Sequence, residues 1–372
     1  MELSVILPCR NEEQGLDFCI KEIKKVIKEN NIDAEIIVSD SSIDKSPEIA
    51  KKNNVVLVKH DQVGYGRAYI EGFKRAKGKY IFMADADGSY EFKDIPIFLH
   101  YLKNGYDLVI GDRFKGEMNK QAMPWHHKYI GNPILSGITR FLFNTPIKDI
   151  HCGARAIKRG SLEKLHLNTP GMEFATEMMV KASKQHLKIK ELPINYRIRK
   201  GKSKLNSFSD GWRHLKYMLL FSPMFLFFVP GLFLFLVGLS TLGWLYFGSP
   251  EFLGIKLYYH PMFISTALIV LGYQLMILTA FAKIYAYTHL GERSKSLEKL
   301  FKHITIERAS LAGLLIVAIS LLIYIYILSG WINSGFSSLN HIKNSIVAIT
   351  MFIIGTQTIF SSFMLKILSL KE

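Results

Sequence analysis

The chain has 372 residues, of which 49% are hydrophobic and 21% charged, with a formal net charge of +16. That excess suits an anionic membrane surface or a phosphate-rich substrate, and no nucleic-acid-binding module is recognisable, so nucleic acid is not an expected partner. Only three cysteines occur, Cys9, Cys19 and Cys152, in no metal-like spacing, which argues against a zinc site or a disulfide framework.

Character changes near Ser222: charge is concentrated before it, and long uncharged runs follow it. In the first part, a short apolar run over residues 3–7 ends at Pro8 and reads as a strand rather than a cleavable signal. Arg10, Asn11, Glu12 and Glu13 follow, then an amphipathic helix through about Glu29. A second strand over 34–38 leads to Asp40, and a helix opens near Asp44–Ser46. A third strand, 55–58, precedes Gly64-Tyr65-Gly66-Arg67-Ala68 and a helix through Ala76, and a fourth, 80–83, runs into Asp85-Ala86-Asp87. Strands alternating with helices predict an α/β domain with a mostly parallel, Rossmann-like sheet. Ligands of such sheets bind beyond the carboxyl ends of the strands, where Pro8, Asp40, Gly64 and Asp85 all fall.

Asp85-Ala86-Asp87 carries the most chemistry. Two carboxylates just after a buried strand offer hard oxygens to Mg²⁺ or Mn²⁺, which completes its shell with water and substrate phosphates. A lone pair of this kind is more often a turn or a cap, but the three strand-end signals ahead of it favour a site. The two glycines at 64 and 66 permit close backbone approach to a phosphate or ribose. They follow the third strand and lack a third glycine, so they do not make a dinucleotide fingerprint.

Beyond residue 216 come four apolar stretches, about 219–246, 262–282, 311–328 and 346–365, each near the roughly 20 residues that cross about 30 Å of hydrocarbon. Connections 249–256 and 330–343 are short and nearly uncharged, whereas 283–308 is rich in Lys and Arg. The positive-inside rule then places that loop, the N-terminal domain and the 366–372 tail in the cytoplasm of a multi-pass protein of the cell membrane. Residues 208–220 and 295–308 mix apolar and basic residues and are expected to lie in the lipid interface. The expected organisation is a catalytic domain over 1–207, the interfacial helix 208–220 and an all-α membrane domain over 221–372.

The residues 4–8 with Asn11-Glu12-Glu13, then 38–42 with Asp44, Gly64/Gly66, Gly78-Lys79-Tyr80 and Asp85-Ala86-Asp87, resemble in order the family 2 glycosyltransferases of the GT-A fold. Gly111-Asp112-Arg113-Phe114, Asp149 ahead of Cys152-Gly153, Glu191-Leu192-Pro193-Ile194, Tyr196, and Gly201 with Ser203-Lys204-Leu205 resemble the polyprenyl-phosphate branch, which includes dolichyl-phosphate mannose and glucose synthases. Residues 171–177 and 210–214 are most similar to its glucose synthase-like group. The resemblance spans about residues 3 to 215. Ser39 stands where relatives more often carry Asp, and Ser89 where mannose synthases commonly carry Gln.

The resemblance implies a metal-dependent, inverting transfer of one sugar from a nucleotide sugar to dolichyl or polyprenyl phosphate. UDP-glucose or UDP-N-acetylglucosamine is the expected donor and GDP-mannose the alternative. It implies nucleotide-sugar contacts from Pro8, Arg10, Glu12, Val38, Asp40, Arg67, Asp85, Ala86, Arg199 and Lys204. Asp85, Asp87 and Ser89 would hold Mg²⁺ or Mn²⁺, and Arg113, His127 and Lys128 would meet the acceptor phosphate. Asp87, Asp149 and Arg113 would form the catalytic group. Because a prenyl phosphate is already largely ionised at pH 7, Asp149 is expected to orient Arg113 or another cation rather than act as a base. His151 and His214 are expected to be structural. The partners implied are a nucleotide sugar, a prenyl phosphate and the bilayer, and a homo-oligomer is compatible with the sequence. A processive polysaccharide synthase is disfavoured by the missing Gln-x-x-Arg-Trp motif. A nucleotide-sugar-binding transporter is disfavoured because the spans lack intramembrane acids.

Overall fold

The computed structural model describes residues 1–201, 207–248, 251–252, 254–289, 305–337 and 341–370. Lys204 and residues 295–304 of the expected interfacial segment lie outside the described residues. The chain divides into two compact units, Met1–Phe221 and Ser222–Glu372.

The first unit is built on seven strands: β1 (Leu3–Cys9), β2 (Ala34–Asp40), β3 (Val56–Lys59), β4 (Tyr80–Met83), β5 (Leu108–Asp112), β6 (Arg155–Lys158) and β7 (Ile189–Pro193). They form one sheet in the order β3-β2-β1-β4-β6-β5-β7. All neighbours are parallel except β6, which runs antiparallel to both β4 and β5. Every residue of β4 is buried, as expected of a short apolar run covered on both faces. One helical layer contains α1 (Leu16–Glu29), α2 (Ser46–Lys52) and α4 (Ile95–Lys103); the other contains α3 (Tyr65–Arg75) and α7 (Phe174–Lys184), with α6 (Arg159–Leu165) beside α7. Two further helices pack on α7: α5 (Asn132–Phe143), preceded by a wide turn at His127–Gly131, and α8 (Ser207–Leu220). From β1 the chain winds outward to β2 and β3, then crosses back to β4. The winding therefore reverses between β1 and β4, and the crevice beyond their carboxyl ends is where such a sheet binds ligands.

The 208–220 segment is helical, with His214, Tyr217 and Met218 buried, and it belongs to the first unit. The first apolar stretch accordingly starts at Met224, not at 219. α8 occupies Leu219 and Leu220, and Pro223, with no amide hydrogen, sits at the restart of the chain in a wide turn at Met224–Phe228.

Among the described residues, the second unit contains four helices long and apolar enough to cross a membrane by length and composition: Met224–Phe247, His260–Thr288, Ile306–Asn333 and Ile342–Ser369. They comprise α9 (Val229–Phe247, extended N-terminally by the wide turn), α10 (His260–His289), α11 (Ile306–Asn333) and α12 (Ile342–Ser369). Short strands β8 (Glu251–Phe252) and β9 (Ile255–Lys256) join α9 to α10. α11 and α12 approach closely at Gly313 and Gly355, where an added Cβ at either would lie 2.8 Å from the other's carbonyl oxygen. Small residues of this kind let helices pack in lipid without a hydrophobic driving force. α10 and α12 are linked by Thr266–Thr350 at 2.9 Å, Tyr273–Thr358 at 2.6 Å and a Gln357 amide donating to Gln274 Oε1 at 2.9 Å. Both numberings rise together, so these helices run parallel, as two consecutive helical hairpins require.

Candidate active site

At the β1/β4 crevice lies a cavity of about 330 Å³. The end of β1 contributes Pro8, Cys9, Arg10 and Glu12, the start of α3 contributes Gly64 and Tyr65, and the end of β4 contributes Asp85, Ala86 and Asp87. Gly64 has φ +145° and a Cβ there would fall 2.2 Å from Pro170 O, so only glycine lets the 170–172 loop close this wall. Arg199 arrives from the segment after β7, whose backbone lies along the Asp85–Ser89 loop: Arg197 N–H donates to Ser89 O at 2.8 Å and Lys200 N–H to Asp87 O at 2.7 Å.

The two acids differ in environment. Burial, and next the charge of Asp87, push the Asp85 carboxyl up to about 7, opposed by Tyr65 and by Arg113 and Arg199. Asp87 Oδ1 accepts from Ser89 N–H at 3.0 Å and from the Ser89 hydroxyl at 2.6 Å, leaving Oδ2 3.7 Å from Arg199 Nε. Two close buried carboxylates repel each other, and a divalent cation removes that penalty. Among the described residues no third His, Cys, Asp or Glu joins them, so a cation here would complete its shell from water and substrate oxygens, as Mg²⁺ and Mn²⁺ sites do. The donor set fits that use. Ser89, expected as a ligand, has its hydroxyl directed at Asp87 and orients that carboxylate.

Several buried polar atoms have no hydrogen-bond partner among the described residues. Both oxygens of fully buried Asp40 accept no hydrogen bond; their nearest cation is Lys59, at 3.8 Å. Arg199 Nε is likewise unbonded, although Arg199 Nη2 reaches Glu12 Oε1 at 3.2 Å. A buried polar group without a partner calls for an explanation, and a polar ligand is one; Arg199 lines the cavity. Asp40 itself does not line the cavity, but Cys9, with which it is in register, and the adjacent Ser41 do.

Arg113 and Asp149 form a second centre. The Arg113 side chain donates through Nε to Asp149 Oδ2 at 2.7 Å and through Nη2 to Oδ1 at 2.8 Å, and its backbone N–H also reaches Oδ2, at 3.1 Å. Asp149 is fully buried and Arg113 is 6% exposed. The guanidinium lies 5.2 Å from the Tyr196 ring centroid. Burial would lower the Arg113 pKa, but Asp149 outweighs it and holds the group charged. Burial, then His126 and Arg113, lower the pKa of His127, so the His127 turn and Arg113 share one electrostatic neighbourhood. His127 Nε2 lies 2.7 Å from the Ser207 hydroxyl, and Lys128 lies over the Tyr129 ring.

Besides Asp40, two expected nucleotide contacts do not line the cavity. Val38 is a fully buried core residue in the middle of β2, and Arg67 lies on α3 outside the cavity lining. Conversely, Tyr65, Met172, Asp210 and Arg213 line it without having been singled out for that role. The last two come from α8, and the 210–214 resemblance was the one signal that pointed to them. His151 and His214 stack edge to face at 4.3 Å, and burial lowers His214 to about 4, so both are neutral packing groups at pH 7.

Residues 4–166 match the sequence profile of glycosyl transferase family 2, and residues 280–369 that of the family 2 glycosyltransferase C-terminal transmembrane region. The low-salt glycan biosynthesis hexosyltransferase Agl6 of Haloferax volcanii is 35% identical over 364 residues, covering 98% of this chain and 88% of the relative. The dolichyl-phosphate hexose transferase of the same organism is 29% identical, over 56% of this chain and 89% of that protein. The dolichol-phosphate mannosyltransferase of Pyrococcus furiosus is 29% identical, over 55% of this chain and 59% of that protein. Among solved structures, glucosyl-3-phosphoglycerate synthase from Mycobacterium tuberculosis, in complex with phosphoglyceric acid, superposes with a TM-score of 0.50 at 16% identity, over 59% of this chain and 80% of that one. That likeness shows the GT-A fold. With the sheet order, the paired acids at its switch point and a relative that spans nearly the whole chain, this protein belongs to the family 2 glycosyltransferases, as a GT-A enzyme followed by a transmembrane region.

Proposed function

We propose that this enzyme transfers one hexose from a UDP-sugar to a polyprenyl phosphate, with inversion, using Mg²⁺ or Mn²⁺. The observation that carries the donor half is the set of unmet demands around one cavity. Among the described residues Asp40 accepts no hydrogen bond, Arg199 Nε donates none, and Asp85 and Asp87 repel each other. A nucleoside diphosphate with a divalent cation meets all three: a uracil or guanine N–H reaches Asp40, and diphosphate oxygens reach Arg199 and the metal. Pro8, Arg10, Glu12 and Ala86 shape the ribose and phosphate wall, and Lys204, in the segment leading on from Arg199, is assigned to the same diphosphate.

Bound at Asp85 and Asp87, the cation would neutralise charge developing on the departing diphosphate. A phosphate oxygen of the acceptor attacks the anomeric carbon, the bond to the diphosphate oxygen breaks, and the nucleoside diphosphate leaves with that electron pair. The acceptor phosphate is already ionised near pH 7, so no general base is needed. Both Asp149 oxygens are occupied by Arg113. Asp149 thus holds Arg113, whose charge, with that of Lys128, attracts the acceptor phosphate, while His127 offers it a hydrogen bond. The acceptor is supported by the dolichyl-phosphate hexose transferase among the relatives and by the four apolar helices. The donor reading rests on the resemblance of residues 171–177 and 210–214 to the glucose synthase-like group.

Purified protein offered UDP- and GDP-sugars with a prenyl phosphate is expected to form a lipid-linked hexose from a UDP-sugar, with UDP inhibiting at lower concentration than GDP. Tighter inhibition by GDP together with mannose transfer would replace the donor and leave the reaction class standing. Product absent with every donor would remove the acceptor. Arg199→Ala is expected to weaken nucleotide-sugar binding about tenfold or more, because it deletes a charge-assisted contact to the diphosphate. Calorimetry that returns the wild-type Kd would reassign that residue.

We place the catalytic unit in the cytoplasm, on the basis of the basic 283–308 segment. Because Cys9, Cys19 and Cys152 are buried, introduced cysteines report cleanly. Ser334→Cys should react with an impermeant maleimide on intact cells and Lys21→Cys only after permeabilisation; the reverse pattern inverts the topology.

A further inference from the structure

The strand order lays the substrates out from end to end. Asp40 ends β2, Cys9 ends β1, Asp85 and Asp87 follow β4, and Arg113 follows β5, which lies beyond β6. On the reading proposed above, the base belongs at the β2 end, the diphosphate at Asp85 and Asp87, and the acceptor phosphate at Arg113. The transferred hexose must bridge the last two, because its anomeric carbon is bonded to one phosphate and attacked by the other. Those two centres are within electrostatic reach: the Arg113 charge is among those opposing the burial that raises the Asp85 carboxyl.

One acid of the cavity wall suits neither phosphate. Asp210 of α8 lines the cavity, and its side chain is largely buried. It stands toward the acceptor end. Burial, then His126 and Arg113, lower the pKa of His127, and the charge of Asp210 opposes them. Among the described residues Asp210 forms no metal-binding group with Asp85 and Asp87. A carboxylate repels a diphosphate and an acceptor phosphate alike, but it accepts readily from a hydroxyl. In a nucleoside diphosphate hexose, hydroxyls occur on the ribose and on the hexose. The ribose belongs with the base, at the β1 and β2 ends of the cavity, where Arg10 and Ser41 line it. That leaves the hexose. Asp210 is also held in place. One turn further along α8, Arg213 lines the same cavity with Nη1 3.9 Å from Asp210 Oδ1. The next residue, His214, is buried, and its Nδ1 lies 2.7 Å from the Thr176 hydroxyl of α7. The guanidinium offsets the charge of the acid near two phosphates and adds donors for hydroxyl oxygens, so the pair offers a sugar ring both kinds of partner.

We infer that Asp210, steadied by Arg213, accepts a hydrogen bond from a ring hydroxyl of the transferred hexose and so selects which hexose is transferred. The inference rests on the nucleotide-sugar reading of the cavity given above. A hexose that lacks or inverts the matching hydroxyl would leave a largely buried carboxylate without its partner, which is how a polar site rejects a near-isosteric substrate by a large factor. An acid in the first turn of a helix also has a plainer use, since it stabilises the helix N-terminus. The two roles differ in what they do to bare nucleotide and to nucleotide sugar.

The experiment uses the full chain in nanodiscs with Mn²⁺ and no acceptor, so that calorimetry reads binding alone. Wild type, Asp210→Ala and Asp210→Asn are titrated with UDP and UDP-glucose, and with GDP and GDP-mannose. In the series that the wild type binds more tightly, Asp210→Ala is expected to weaken the nucleotide sugar about tenfold or more and to leave the bare nucleoside diphosphate within about twofold. Asp210→Asn, which keeps an acceptor oxygen without the charge, should lose less. Monodeoxy forms of the same donor locate the contact: one should bind the wild type about tenfold more weakly than its parent, and Asp210→Ala should erase that difference. Equal weakening of nucleotide and nucleotide sugar would make Asp210 a mere part of the cavity wall and overturn the inference. A deoxy penalty that persists in the variant would overturn it too, as would a lowered thermal midpoint with every Kd unchanged. A wild type that binds neither nucleotide removes the donor reading itself, and this inference with it, which is a result distinct from any difference among the variants.

Discussion

Asp87→Asn is expected to leave a folded protein whose transfer rate has fallen by about a thousandfold or more, and chelation with EDTA should do the same to the wild type. The expectation follows from charge. Asp87 is buried one residue beyond Asp85, whose carboxyl its charge raises, and Asp87 Oδ2 is the carboxylate oxygen left free of Ser89. An amide at 87 keeps the Ser89 hydrogen bond and the shape of the loop but presents a neutral oxygen, which binds Mg²⁺ or Mn²⁺ poorly. Without the cation, the departing diphosphate keeps several kcal/mol of uncompensated charge in the transition state, and each 1.36 kcal/mol is a factor of ten. Folding should survive, and even gain, because the variant removes one of two repelling carboxylates. Full turnover in chelator, or full activity of the variant, would mean that Asp87 is only a structural cap on its loop.

Much of this site could be read from residue order because it is made of strand ends. Pro8, Asp40 and Asp85 follow short apolar runs, and a parallel sheet brings such positions to one edge whatever the helices between them do. β4 was legible to the residue because it is central and covered on both faces. The apolar helices were legible because a bilayer imposes their length. The illegible parts depend on contacts distant in sequence. β6 has four residues and no periodicity of its own; its antiparallel place between β4 and β5 is decided by tertiary pairing. Glu12 and Arg199 meet across 187 positions, through the segment laid along the acid-bearing loop. Asp210 and Arg213 reach the cavity because α8 is docked on α7 and α5, which its own pattern of mixed apolar and basic residues does not reveal. Val38 and Arg67 were drawn in by their nearness to Asp40 and Gly64, but Val38, on the same face of β2 as Asp40, lies one residue pair back from the strand's carboxyl end in the core, and a helix turns its side chains away, so neighbours in sequence left the site.

Asp149→Ala is expected to lower the thermal midpoint of the catalytic unit by about 10 °C and to cut transfer by more than about a hundredfold, both through Arg113. The variant leaves a guanidinium that is 6% exposed with no carboxylate, and breaking one side of a buried pair costs about 3–5 kcal/mol. For a unit of this size each kcal/mol shifts the midpoint by about 2–4 °C. Two readings of Asp149 then separate. A general base would lose the chemical step on Asp149→Asn while stability and acceptor KM stayed near wild type. A brace for Arg113 would instead lose stability and raise the acceptor KM together, because Asn satisfies one of the two guanidinium donors but restores no charge. A paired variant, Arg113→Met with Asp149→Leu, sharpens the contrast. Replacing a buried ion pair by apolar groups of similar volume is often neutral or stabilising, so this protein should regain most of the thermal midpoint. Activity should stay lost, since the cation proposed to meet the acceptor phosphate is gone. If the paired variant transfers sugar normally, Arg113 has no part in acceptor binding and the pair serves the fold alone. If Asp149→Asn stops turnover with stability and acceptor KM intact, Asp149 acts on a proton after all, and an acceptor that needs deprotonation, such as a sugar hydroxyl, replaces prenyl phosphate.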